Sequence, residues 1–286
     1  MNLLSWLIPW DFSPTAIAVI GAAAWLYLRG VRRRPCGFSR QFAFWAGLLL
    51  IYAALQTRLD YYAEREFFVH RFQHLLLHHL GPFLVMLAIP GPALRSGLPL
   101  RWRRAGSRLL RLAPVRMVCN ALLNPWVAAL LFFGVIDLWL WPSVHFLAML
   151  DWRMYRLMNW SVTIDGLLFW WMVLDRRPKP PARLAPGARI VVSLAVALPQ
   201  ILVGAYVTFT RADLYPIYDL CGRAFAGISA QQSQTIGGLI LWVPSAMMSA
   251  VGALVALRNW ISLSSRGRLP QRRAPAAAPA RALRAV

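Results

Sequence analysis

The chain predicts an all-α protein of the polytopic membrane class, a bundle of about seven transmembrane helices. Three observations carry that prediction. Of its 286 residues 59% are hydrophobic and 14% charged, more apolar surface than a soluble core of this length needs. The apolar runs recur at lengths that cross a ~30 Å hydrocarbon layer as helices. The basic residues cluster between alternate runs, as they do where loops stay on the cytoplasmic side.

The first run, 14–29, lacks a basic leader and is followed by Arg29, Arg32, Arg33 and Arg34, so it reads as a retained anchor rather than a cleaved signal. The others are expected at 41–56, 66–89, 121–141, 158–174, 188–209 and 232–257. The second and fifth are short and should extend past these limits. One membrane domain, 1–262, is followed by a basic Pro/Ala/Arg-rich tail, 263–286, which lacks the apolar periodicity to pack and is expected to be a disordered cytoplasmic segment. The segment 142–156 between the fourth and fifth spans either lies flat on the membrane or forms a docking surface for another membrane protein.

A net charge of +21 raises the possibility of nucleic acid, so the placement of the charges decides. With the N-terminus outside, the segments Arg29–Arg40, Arg95–Arg116, Arg176–Arg189 and the tail from Arg258 hold 24 of the 31 basic residues on the cytoplasmic side. Asp11, Asp60, Glu64, Glu66, Asp151, Asp213 and Asp219 all fall on the other. The predicted orientation is therefore N-terminus outside and C-terminus cytoplasmic, and the basic loops act as topology determinants and anionic-lipid contacts. The lipid bilayer is the expected partner, and nucleic acid is not. Cys36, Cys119 and Cys221 form no C-x-x-C or C-x-x-x-C pair, so thioredoxin-like redox or thiolate copper-chaperone chemistry has no residues to run on.

Function is most legible in EFFVHRFQHLLLHHLGPFLVMLAIP, where four of the five histidines fall within ten residues. Steps of four place His70, His74 and His78 on one stripe of a helix, each about 6 Å along the axis from the last. His79 points elsewhere and is read as structural. Ionisable groups are costly in hydrocarbon and face a bundle interior, a cavity or a cofactor. A metal entering from outside would meet Asp60, Glu64 and Glu66 first and imidazoles next, and a thioether such as Met149, Met154 or Met158 would bias the site towards Cu(I).

Three histidines spread over about 12 Å cannot all bind one ion, so a further ligand must come from another segment, and His145 is the remaining histidine. The candidate metal ligands are thus His70, His74, His78, His145 and Asp60. The alternative is that the histidines bridge helices through hydrogen bonds.

The spacing His70-x-x-x-His74 is that of zinc proteases, but the position of the general-base glutamate is Arg71, so no hydrolytic enzyme is expected. A bis-histidine haem would need His145 as partner to the stripe. Asp137 and Asp165 are intramembrane carboxylates read as interhelical contacts. Gln231, Gln232, Gln234, Gly237 and Gly238 are read as packing positions. LYPIYDL, 214–220, is read as part of an interfacial aromatic belt.

Four stretches together resemble the CtaG-type cytochrome c oxidase assembly factors: the run from Asp60 through AEREFFVHRFQHLLL, LLFWW at Leu167–Trp171, LYPIY at Leu214–Tyr218 and QTIGGLILWVP at Gln234–Pro244. That family comprises polytopic bacterial inner-membrane proteins, distinct from the soluble-domain copper chaperone sharing the name. The resemblance spans about residues 40 to 260. It implies a non-catalytic role in maturing a haem-copper oxidase, with oxidase subunits as partners and copper delivered or inserted.

Asp60, His70, Gln73 and His74 match the family's histidine motif. The chain departs from it where His78 and His79 replace methionine or apolar residues. Trp141-Pro142, with His145 beyond, stands for Trp-His-x-Pro, Met158-Asn159 for a Glu-His pair, and Ser233 for an aspartate, which marks a divergent member. A copper transporter and a haem-binding electron-transfer subunit are the competing functions. A transporter should continue its ligands inward, yet the third span below Leu80 offers only Met86 before Arg95.

Overall fold

The computed structural model describes residues 9–10 and 12–269. Asp11 and the part of the expected tail from residue 270 lie outside the described residues. Every regular element among the described residues is a helix. Four are long and apolar enough to cross a membrane: α1 (Pro14–Arg33), α2 (Phe38–Gln56), the helix Pro186–Phe209 and the helix Ala230–Ser265. Two bent pairs raise the number to six, Phe67–Leu87 with Gly91–Gly97 at 75° and Ala113–Leu122 with Pro125–Leu140 at 67°.

The fifth expected span is present as the helix Trp152–Val173, but Arg153, Arg156, Asn159 and Asp165 make it too polar to count among them by composition. The last helix runs on to Ser265, past the boundary expected at 262. Large apolar side chains such as Leu49, Leu130, Ile164, Leu202, Phe209 and Leu254 point outward, the inverse of a water-soluble surface and the expected face towards lipid.

In chain order the remaining elements are α3 (Arg58–Ala63), α4 (Phe67–Leu87), α5 (Gly91–Gly97), α6 (Leu100–Leu109), α7 (Ala113–Leu122), α8 (Pro125–Leu140), α9 (Pro142–Leu150), α10 (Trp152–Val173), α11 (Pro186–Phe209), α12 (Ile217–Leu220) and α13 (Ala230–Ser265). The centre of the bundle is α4, packed against α2, α10 and α13. Small residues set these approaches. A methyl group on Gly47 would reach the Gly81 carbonyl oxygen and the backbone of Val85, one on Gly237 the Phe67 ring, and one on Gly166 the His78 carbonyl.

The middle of α4, Leu75–Leu80, is wound as a π-helix. Pro82 accounts for it: its ring has no N–H and would press on the carbonyl of His78 four residues back in an α-helix, and the wider turn relieves the clash. The consequence is a break in the expected three-histidine stripe. The π-turn changes the angular step after His74, so His70 and His74 keep one file while His78 and His79 are re-aimed.

The segment from Pro142 divides between two helices. The short helix α9 buries His145 and Ala148 against the bundle, and α10 starts at once after Asp151, which caps it by accepting from the Arg153 N–H at 2.7 Å. Gln234 shapes the α11–α13 loop. Its Nε2 donates to the carbonyls of Thr210 and Ala212 at 3.0 and 3.1 Å, and its Oε1 accepts from Leu214 N–H at 2.8 Å. That loop carries Tyr215 and Tyr218 back over the end of α4.

Candidate functional site

The first two turns of α4 deliver His70 and His74 into a closed chamber of buried, packed side chains. Both are buried, 0% and 2% exposed, and their ring centroids lie 4.4 Å apart at a 41° tilt. None of the four ring nitrogens makes a hydrogen bond of good geometry, the Ala63 backbone beside His70 and the Asn159 side chain beside His74 being poorly aligned. So many weakly satisfied nitrogens in one buried place are unusual, because a buried polar group without a partner costs about 1–3 kcal/mol.

The wall opposite comes from α10. Tyr155 lies 6.0 Å from the His70 ring, and Asn159 sits beside His74 with its Oδ1 unpaired. Met158, fully buried, is one turn from Tyr155 on the same buried stripe of that helix.

His145 closes the chamber from α9, its ring 5.1 Å from His70. Its Nδ1 lies 3.0 Å from the Trp139 carbonyl, which can only accept, so Nδ1 carries the proton. Nε2 then accepts from the Tyr218 hydroxyl at 2.9 Å. Burial, with the charge of Arg71 adding to it, holds the His145 pKa down at about 3, so this tautomer is neutral. The Tyr215 hydroxyl donates to the Leu140 carbonyl at 2.9 Å, and its ring stacks on Phe67 at 4.1 Å. Burial raises the Tyr215 and Tyr218 pKa values and keeps both phenols protonated. These tyrosines, 3% and 0% exposed, form a lid over the histidines and not an interfacial belt.

Asp60 is present at the chamber's edge as an anchor. Its Oδ1 accepts from Gln73 Nε2 at 2.6 Å and from the Tyr155 hydroxyl at 2.8 Å, while Gln73 also donates to the Ala54 carbonyl at 2.8 Å. This network ties α2, α3, α4 and α10 together. Glu66, fully buried, accepts from Ser233 Oγ at 3.0 Å and from the Phe225 N–H at 3.3 Å, with Arg223 at 3.7 Å.

His78 stands apart. Its Nε2 meets Asp165 Oδ2 at 3.3 Å and its ring stacks on Phe132 at 4.1 Å, while His79 packs against Phe132 and Trp170. The structure therefore brings His70, His74 and His145 together and gives His78 and Asp60 other partners. Among the described residues no group of three His, Cys, Asp or Glu side chains is arranged to hold a metal ion.

Arg71 enters the sequence reading only as the residue in the general-base position, and its place in the site was not foreseen. It is 2% exposed, none of its three guanidinium nitrogens has a partner, and its charge lies over the Phe67 ring at 5.2 Å. Its signal was present in the sequence, as a lone arginine inside an apolar span.

A bundle of apolar helices enclosing an imidazole couple under one end belongs to the class of helical membrane proteins with a buried polar chamber. Residues 25–262 match the family described as cytochrome c oxidase caa3 assembly factor, and the chain belongs to that family. No curated protein and no solved structure matches the chain.

Proposed function

We propose that this protein, as a multi-pass component of a bacterial inner membrane with its N-terminus outside, assists assembly of a haem-copper oxidase by holding copper transiently between His70 and His74. Copper is cargo here, and no bond-making step on a substrate is assigned to the chain. The observation that carries the reading is that these two buried, adjacent imidazoles have no well-formed hydrogen bond at any ring nitrogen. Imidazole suits copper, and the Met158 thioether on the facing stripe favours the reduced ion. A site with only two open donors fits a carrier that must release its ion better than a permanent centre.

His145 is a third donor in reserve, its Nε2 available only when Tyr218 withdraws its hydroxyl. Asp60 serves by position, holding Gln73 and Tyr155 so that α4 and α10 keep the chamber's width. The unpaired Arg71 charge opposes a cation in the chamber, which favours release. The partner is an oxidase subunit, presented with the ion at the Tyr215–Tyr218 lid.

The test is genetic and spectroscopic. A deletion strain should lose cytochrome oxidase absorbance and activity, most severely when copper is scarce. Wild type should restore both, and H70A/H74A should accumulate in the membrane yet restore neither. Normal oxidase in the deletion strain, with copper replete and limiting, would defeat the assembly reading. Disappearance of the H70A/H74A protein itself would instead assign the histidines to structure.

A further inference from the structure

At the end of α4 away from the histidines, about 18 Å along the axis from His74 to Met86, a cavity of about 950 Å³ opens, a size that accommodates a lipid headgroup or a cofactor. Its rim carries Arg33, Arg34, Arg95, Arg103, Arg176 and Arg177 against one carboxylate, Asp175. Its floor is apolar, with Met86, Trp171 and Leu174.

Three of the six guanidiniums are engaged. Arg33 and Arg103 each donate to the Ser96 carbonyl at 2.9 Å, and Arg177 pairs with Asp175 at 2.8 Å. Arg34, Arg95 and Arg176 have no acceptor among the described residues. Burial, with Arg40 and Arg258 adding to it, lowers the Arg176 pKa.

The rim is also built. Arg189, fully buried, donates to the carbonyls of Asp175, Arg177 and Leu184 and so fixes the loop that carries Arg176. Ile89, a β-branched residue in the cavity wall, holds φ at 54°, a strained backbone of the kind found at ligand clamps. The helix α6 brings Arg103 and buries none of its residues, leaving Leu100, Trp102 and Leu109 exposed beside its arginines. That is the pattern of a basic amphipathic helix lying at a membrane surface.

We propose that this cavity binds the phosphate headgroup of an anionic phospholipid, Arg34, Arg95 and Arg176 gripping the phosphate while the floor beside Trp171 takes the apolar glycerol and upper acyl region. Charge sign selects an anion, the guanidinium fork suits phosphate, and the apolar floor together with the neighbouring amphipathic helix selects a lipid over a free ion.

Native mass spectrometry of the full chain in mild detergent, titrated with phosphatidylglycerol, phosphatidylcholine or inorganic phosphate, tests this. Phosphatidylglycerol should be retained one per chain in preference to phosphatidylcholine. R34Q/R95Q/R176Q should weaken it about a hundredfold, at about 1 kcal/mol for each basic residue at the surface. R32Q/R116Q/R266Q, which removes equal charge from outside both the cavity rim and α6, should leave it within about twofold.

Should the triple variant fail to accumulate, R95Q alone, at an exposed position, is read in the same way with about a fivefold loss expected. Equal losses in both triple variants would overturn the proposal in favour of diffuse attraction. So would inorganic phosphate displacing the lipid at matched concentration, because the apolar floor would then contribute nothing.

Discussion

Asp60→Ala separates an anchor from a ligand. Asp60 is 5% exposed and its Oδ1 accepts two short hydrogen bonds, 2.6 Å from Gln73 and 2.8 Å from Tyr155. A bond to a charged acceptor contributes about 1.5–3 kcal/mol, so removing both should destabilise the protein by about 3–6 kcal/mol. Asp60→Asn keeps an oxygen in place at neutral strength and should lose about half as much.

Equilibrium unfolding in mixed micelles measures both. A double-mutant cycle with Tyr155→Phe isolates the Tyr155–Asp60 bond, for which a coupling of about 1.5–3 kcal/mol is expected. A D60A protein as stable as wild type that nevertheless loses copper would refute the anchoring argument and make Asp60 a metal ligand.

Tyr218→Phe frees Nε2 of His145 at a cost of about 1 kcal/mol in stability and should slow copper loss on dialysis against a chelator; faster loss would show that the hydroxyl helps to hold the site. Arg71→Met removes a buried unpaired charge and should leave the protein as stable or more stable by up to about 4 kcal/mol, with copper held more tightly; a large loss of stability in unfolding assays would reveal a partner for the guanidinium. Gly166→Val drives a side chain into the His78 backbone and should cost about 1–3 kcal/mol, with lower thermal resistance in detergent; unchanged melting would place α10 farther from α4 than described.

The class of fold was legible because apolar run length and basic-residue placement are properties of the linear chain. The pocket was legible in part. His70, His74 and Gln73 share a helix with an unbroken α-helical step, and their grouping follows from spacing alone. His78 did not follow, because the π-turn provoked by Pro82 alters the angular step between His74 and His78, and no periodicity of hydrophobic residues announces it. The meeting of His145 with Tyr218 depends on a loop whose path is set by Gln234, a contact between segments far apart in the chain.

Tyr215 and Tyr218 were read as belt residues because a tyrosine near a span end looks the same from sequence whether it faces headgroups or a buried imidazole. The fifth span reads as short in the sequence, and Arg156, Asn159 and Asp165 along the helix keep it from being apolar throughout. Of these, Asn159, with Tyr155, lets α10 serve as the chamber's second wall.

Copper content per chain after detergent exchange, compared among wild type, H70A/H74A and H78A, tests the paired-imidazole site most directly. Wild type and H78A should retain the ion and H70A/H74A should lose it. Copper kept by H70A/H74A, or lost equally by H78A, would contradict the assignment.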